Sequence, residues 1–250
     1  MKPHISPSQV NMYLRCPAQY YFRYVEGVIL PPKAAMTRGK AVHHSIETNY
    51  KQKIESHEDL PLSDVLDVAA TAFEIEAEHT EWEPDETPGS VKDETIQLAG
   101  LYHTAIAPTV QPVCVEARAE IPLEGTEKTL LGFIDVIDSG GFIRDTKTSR
   151  RAPGADEAER SLQLTAYCLA FRYLTGEREA GVKLDYLVHT KTPKAVTLDA
   201  TRTEDDILRF QSIVAGVLSG IEHNVYYPNP NNHMCSEKWC GYWHECHKVF

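Results

Sequence analysis

The hydrophobic pattern of the chain has a helical period in its first half and an alternating one from about residue 113. Ile5-Ser6-Pro7-Ser8-Gln9-Val10 predicts a helix start, with Ser6 as N-cap, Pro7 at the first helical position and Gln9 closing a capping box. Ile5 can staple Val10, and the helix carries Tyr13 and Leu14 inward until Cys16-Pro17, where proline ends or kinks it. The aromatic run Tyr20, Tyr21, Phe22 and Tyr24 reads as core packing, with base stacking as its other use. After Pro31-Pro32, the stretch from Arg38 through Tyr50 reads as a helix with His43 and Glu47 on one face. Residues 51–112 read as a helical segment. There Val65, Leu66, Ala69, Ala70 and Phe73 keep helical spacing behind a cap at Ser63, and Ile96, Ala99 and Ile106 suggest another helix. The acidic stretch from Glu74 to Glu86 reads as a solvated face and loop.

From Val113 the period shortens to two. Val115, Ala117, Ala119 and Ile121 fall on one face, with Glu116, Arg118 and Glu120 on the other, as in a half-buried strand. Leu131–Asp138, the glycine pair Gly140-Gly141 and Phe142–Lys147 read as a hairpin whose two glycines supply positive φ angles to a two-residue turn. Ser161 to Thr175 reads as a helix with Leu162, Thr165, Ala166, Leu169 and Tyr173 inward. Gly181 to Thr190 and Ala195 to Leu198 read as strands, and Thr203 as the cap of a long helix through Ile207, Phe210, Val214, Val217 and Ile221. Helices, three strands, a helix and more strands make an α/β domain.

Composition narrows the class. The 250 residues are 42% hydrophobic and 24% charged, ordinary for a globular protein with a real core, and suit one large domain. No apolar run approaches the ~20 residues of a membrane span, and no apolar signal region follows Met1, so a cytoplasmic address is the expectation. The net charge of −11 argues against coating duplex DNA by bulk charge alone. Basic residues are nonetheless dense at Arg144, Lys147, Arg150 and Arg151.

Chemistry concentrates on the hairpin. Asp145 and Lys147 are two apart, so they leave the same face of a strand, and Asp135 on the neighbouring strand can join them. Two carboxylates about 4 Å apart repel by roughly 4 kcal/mol at an effective dielectric near 20. Lys147 offsets part of that; a divalent cation does it better, and hard oxygen ligands suit Mg²⁺ or Mn²⁺. The alternative is a surface hairpin with scattered charges. His43 with Glu47, one turn apart, could likewise be a plain surface pair.

The tail holds Cys235, Cys240 and Cys246 among aromatic residues, a spacing that resembles a metal loop more than a disulfide framework. Cys16 is the best fourth thiolate, while Cys114 and Cys168 sit among apolar neighbours and read as core residues. Such a site would clasp the two ends of the chain together. It suits an iron–sulfur cluster or structural Zn²⁺, and His233, His244 and His247 keep a mixed zinc site open.

Taken together, the pieces resemble the PD-(D/E)xK nuclease superfamily, and within it the RecB-like exonucleases with an iron–sulfur clasp, a group that includes CRISPR-associated and phage exonucleases. The resemblance spans nearly the whole chain. It is carried by Ser6-Pro-Ser-Gln with Leu14-Arg15-Cys16-Pro17, by Gly39-x-x-Val42-His43-x-x-Ile46-Glu47, by Gly132-Phe-Ile-Asp135, by Asp145-Thr-Lys147-Thr148 and by Gln163-Leu164-x-x-Tyr167. One departure stands out: four residues separate Cys235 from Cys240, where that group has two.

The resemblance implies a restriction-endonuclease-like core, a mixed sheet flanked by helices, with an N-terminal helical segment and a C-terminal cysteine cluster. It implies one nuclease domain over residues 1–250, with 51–112 as a helical insertion and residue 16 with 235–246 as the clasp. His43, Asp135, Asp145 and the Thr146 carbonyl would bind the Mg²⁺ or Mn²⁺. Lys147 would orient or deprotonate the attacking water, and Gln163 and Tyr167 would position the DNA backbone or the lysine. Cys16, Cys235, Cys240 and Cys246 would hold a 4Fe-4S cluster. The implied activity is a DNA exonuclease on single-stranded ends, 5′-to-3′, in recombination, repair or phage DNA processing, with a helicase or recombination protein as partner and no membrane. Two other readings stand beside it: a nuclease-fold DNA-binding or adaptor protein that has lost catalysis, and a redox carrier. The complete set of Asp135, Asp145 and Lys147 argues against the first. The second leaves the hairpin without a purpose.

Overall fold

Local chemistry sets most element boundaries. The computed structural model describes residues 3–250. Its first elements are β1 (His4–Ile5), α1 (Pro7–Arg15), α2 (Pro17–Tyr20) with a π turn over Tyr21–Val25, α3 (Ala34–Ser56), α4 (Leu62–Ala77) and α5 (Pro88–Ala105). After a 3₁₀ turn at Ala107–Thr109 come β2 (Pro112–Pro122), β3 (Thr129–Asp138), β4 (Phe142–Ser149), α6 (Glu157–Arg160) and α7 (Leu162–Thr175). The chain ends with β5 (Gly181–Val188), β6 (Lys194–Ala200), α8 (Glu204–Glu222) and α9 (Trp243–Val249).

The expected caps are formed. Ser6 Oγ accepts from the Gln9 N–H, and the Ser6 N–H donates to Gln9 Oε1, so two orphan donors at the start of α1 are satisfied reciprocally. Thr203 and Asp206 do the same for α8, and Ser161 caps α7. Ser63 is not a cap: α4 begins behind Pro61, whose extended backbone at φ −50° sets the entry, and Ser63 lies in the first turn. The hairpin turn also differs from a two-glycine turn. It is a three-residue loop in which Asp138 Oδ1 accepts from the N–H groups of Gly140 and Phe142, and only Gly141 takes a positive φ.

The chain divides into two compact units, the larger being Pro31–Arg118 with Phe133–Arg202. Its sheet runs β3-β4-β5-β6, antiparallel, then parallel, then antiparallel, and β2 pairs with β3. β5 is buried along nearly its whole length from Val182 to Val188, as befits a central strand. Val42, Ile46 and Tyr50 of α3 and Leu98, Ala99 and Tyr102 of α5 form one buried cluster with Val136 and Leu187 of the sheet. Ala34, Ala41, Phe73 and Val91 form a second cluster between α3, α4 and α5. In α7, burial is continuous from Leu164 to Cys168 and fades in the last turn, so Tyr173, expected inside, is exposed. Cys168 is a core residue as expected; Cys114 is only half-buried.

The smaller unit comprises the described residues up to Leu30, Ala119–Gly132 and Thr203–Phe250. Here β1 pairs in parallel with the opening of β3 (His4 with Thr129, Ile5 with Leu130). The aromatic run packs as core: Tyr20 and Phe22 are buried, Tyr20 stacks on Tyr226 and Phe22 on Tyr242.

Candidate active site

Three elements of the larger unit meet at the hairpin. The β3–β4 register places Val136 opposite Arg144, so one step further Asp135 stands opposite Asp145. Like charges directly across an antiparallel pair are destabilising. A fold that keeps both carboxylates there sacrifices stability for some other purpose. Arg144, on the opposite face from Asp145, is buried against Asp138 and Asp185 and holds the underside of the hairpin.

α3 supplies His43. Gly39, one turn earlier, faces β4, and a Cβ there would stand 3.4 Å from Thr148 Oγ1. His43 Nδ1 is 3.7 Å from Asp135 Oδ2, and the ring is in hydrogen-bonding reach of the Thr146 backbone. Glu47 pairs with Lys51 and lines the same groove between α3 and α4 as His43.

α7 supplies Gln163 and Tyr167, one turn apart. Lys147 Nζ donates to Asp145 Oδ1 at 3.1 Å and to Gln163 Oε1 at 3.0 Å. Gln163 Nε2 is 3.1 Å from Asp145 Oδ1 and 2.6 Å from the Tyr167 hydroxyl, which donates to Asp135 Oδ1 at 3.1 Å. The expected residues His43, Asp135, Asp145, Thr146, Lys147, Gln163 and Tyr167 thus come together in one network.

The electrostatics are those of excess buried negative charge. Asp145 is 1% exposed, and burial followed by the neighbouring Asp135 pushes its carboxyl up to about 7. Burial pushes Asp135 up to about 6, with Glu116 adding to the rise against Lys147. Burial lowers His43, which favours the neutral imidazole, and raises Tyr167, which remains a hydroxyl donor.

These residues fit a divalent cation. Asp145 Oδ2 is buried without a hydrogen bond, its close contact being the ion pair with Lys147 Nζ at 2.9 Å. Two oxygens, a carbonyl and an imidazole are a donor set for Mg²⁺ or Mn²⁺. Among the described residues, no three His, Cys, Asp or Glu side chains are already drawn into a closed metal cage. Here Lys147, Gln163 and Tyr167 occupy carboxylate oxygens.

Glu116 was not singled out by the sequence, because alternation puts it on the solvent face of β2. It is exposed, yet it carries φ +55° within a strand and acts on Asp135. Backbone angles of that kind leave no trace in composition.

In the smaller unit, Cys16, Cys235, Cys240 and Cys246 line one cavity of about 420 Å³, together with Gln19, Phe22, Trp243 and His247. All six cysteines are free thiols. Burial and the neighbouring thiols raise Cys235 and Cys246, so several thiolates there need a cation. Gln19 Nε2 donates to Cys240 Sγ at 3.3 Å. His244 is exposed beside Glu237.

Residues 4–247 match the model of the PD-(D/E)XK nuclease superfamily. The chain belongs to that superfamily. A crystal structure described as a "Putative exonuclease" from Eubacterium rectale aligns over 99% of this chain and 88% of its own, with a TM-score of 0.63 at 11% identity, and so shares the fold. A structure described as SSO0001 aligns over 90% of this chain and 91% of its own at 14% identity, with a TM-score of only 0.39. No curated protein matches the sequence. The mixed sheet flanked by helices is the restriction-endonuclease-like core, and nucleases of this superfamily usually use divalent metals such as Mg²⁺. No described helix is long and apolar enough to cross a membrane.

Proposed function

We propose that the chain is a Mg²⁺- or Mn²⁺-dependent DNA exonuclease of the RecB-like iron–sulfur type, hydrolysing phosphodiester bonds at single-stranded ends with 5′-to-3′ polarity. The observation that carries this reading is the opposed pair Asp135 and Asp145, the second of them buried, with Lys147 between Asp145 and Gln163. A bound divalent cation supplies positive charge to the phosphate and lowers the pKa of water. Asp135 and Asp145 would hold it, with His43 and the Thr146 carbonyl. Lys147 would orient the attacking water or deprotonate it, the latter after passing its own ammonium proton to solvent, which a side chain 37% exposed can reach. Gln163 fixes the lysine through Oε1 and the Tyr167 hydroxyl through Nε2. Tyr167 holds Asp135 in place by donating to Oδ1.

Residues 1–250 act as a single nuclease domain in this reading, with 51–112 as its helical insertion. The setting is the cytoplasm, in recombination, repair or phage DNA processing beside a helicase or recombination protein. A direct test compares linear with closed circular single strands, and 5′-blocked with 3′-blocked linear strands. Loss of linear strands alone, prevented by the 5′ block, is the expected result. Equal digestion of circles would make the enzyme an endonuclease.

The clasp is proposed as a 4Fe-4S cluster on Cys16, Cys235, Cys240 and Cys246. The support is four thiols around one cavity and the absence of any disulfide among them. Its role is structural, because the hydrolytic groups are complete at the hairpin. Cys240→Ser is expected to lower the melting temperature and DNA affinity more than the turnover rate. Anaerobically purified protein should be brown with close to four irons per chain. One zinc per chain in colourless protein would keep the clasp and exclude the cluster.

A further inference from the structure

A second charged cluster lies at the C-terminal ends of β4 and β5, outside the carboxylate–lysine network. β4 and β5 run parallel with Ser149 beside Val188, and the His189 N–H donates to the Ser149 carbonyl at 2.7 Å, so Arg150 and His189 emerge side by side. Both reach Glu94 of α5. Arg150 Nη2 contacts Glu94 Oε1 at 2.9 Å and Oε2 at 3.2 Å, and His189 Nδ1 is 3.7 Å from Oε2. Arg38 of α3 comes from the other side, with Nη1 2.6 Å from Oε2.

Two guanidinium groups and an imidazole therefore converge on one carboxylate. Glu86 adds only a further attraction on Arg38 without a contact. Joining α3 to α5 would take a single arginine. Here Arg38 is 3% exposed, and its Nε is buried with no hydrogen-bond partner. Arg150 spends only Nη2 on Glu94 and leaves a side chain 53% exposed. Positive charge exceeds negative at an accessible point, in a chain whose net charge is −11. The place also fits a ligand, because ligands of open α/β sheets gather at the carboxyl ends of parallel strands. Three residues along an extended chain span at most about 11 Å, which keeps Arg150 within reach of a strand bound at Lys147.

We propose that Arg150, seated on Glu94 beside Arg38 and His189, is an anion subsite that holds a phosphate group of the nucleic-acid strand next to the one being cut. Glu94 keeps Arg150 from swinging into solvent, and the planar guanidinium presents its remaining donors to phosphate oxygens. The proposal deepens the nuclease reading and rests on it. It also accounts for how an acidic protein grips a polyanion, by local rather than overall charge.

The test measures binding of a fluorescent single-stranded oligonucleotide to the full-length protein in metal-free buffer, where nothing is cut, across a series of salt concentrations. Each titration uses oligonucleotides with and without a 5′-phosphate. Arg150→Ala should weaken binding about tenfold, the loss expected for one charge-assisted hydrogen bond. It should also reduce the slope of log affinity against log salt by about 0.7, one phosphate contact on a single strand. Arg150→Lys, which keeps the charge, should keep the slope. A loss seen only with the 5′-phosphate assigns the subsite to the strand terminus; a loss with both assigns it to an internal phosphate. Unchanged affinity and slope in Arg150→Ala, in a protein whose wild type binds and digests DNA, overturns the subsite and leaves the nuclease standing. A lowered melting temperature with an unchanged slope makes the cluster a staple between helices and also overturns it. Wild-type protein that neither binds nor digests the strand overturns both readings.

Discussion

Asp145→Asn is expected to abolish digestion and at the same time to make the metal-free protein more stable at pH 8. The two effects share one cause. Asp145 is buried opposite Asp135, and burial followed by that neighbouring carboxylate pushes its carboxyl up to about 7. An acid whose folded pKa is raised holds a proton in the fold that the unfolded chain has already released. Stability therefore falls as pH rises from about 4 to 7, and the whole loss is present above that window. Asparagine has the same shape without the charge, and its oxygen can still accept from Lys147 and Gln163. The variant should melt about 3–6 °C higher than wild type at pH 8 and equally at pH 4, after allowing for the lost ion pair with Lys147. Its digestion should fall by at least about a thousandfold, as when a group stabilising transition-state charge is lost. Calorimetry at several pH values beside a digestion assay checks both. A variant that melts lower at pH 8 and cuts normally would place the active site elsewhere.

Lys147→Ala is expected to slow hydrolysis at saturating DNA by about a hundredfold or more, in the range for a positioned proton-transfer group, while affinity for DNA changes little. The lysine is held by Asp145 and by Gln163 Oε1, and its ammonium contacts the buried Asp145 carboxylate. Lys147→Arg should not restore the rate, because a guanidinium stays charged and cannot take up a proton. Gln163→Ala should reproduce part of the defect, since the lysine loses one of its two anchors. Single-turnover rates with measured affinities separate the cases. Loss of affinity with normal turnover would make Lys147 a binding residue.

Much of this site was legible in the sequence because it is built from local periods. Asp145 and Lys147 share a strand face by the period of two; Gln163 with Tyr167 and His43 with Glu47 share helix faces by the spacing of four. The caps at Ser6 and Thr203 are readable because a cap needs only residues within one turn. What stayed hidden depends on contacts distant in sequence or on backbone angles. Arg38 and Glu94 lie on α3 and α5 and each alone looks like a solvated charge; Arg150 belongs to the basic run after β4, and only the fold joins it to the other two. Glu116 follows strand alternation, and only its φ of +55° marks it as unusual. Gly140-Gly141 misled because the side chain of Asp138 completes the turn, so one glycine suffices. Periodicity puts Tyr173 inside, whereas the last turn of α7 projects beyond the buried stretch.

The central claim is that Asp135 and Asp145 together hold a divalent cation beside Lys147. Anomalous scattering from crystals soaked in Mn²⁺ tests it most directly. A manganese peak in contact with carboxylate oxygens of both aspartates is expected, lost in Asp145→Asn crystals soaked in the same way. Manganese bound only elsewhere, in crystals of protein that digests DNA with Mn²⁺, would contradict it.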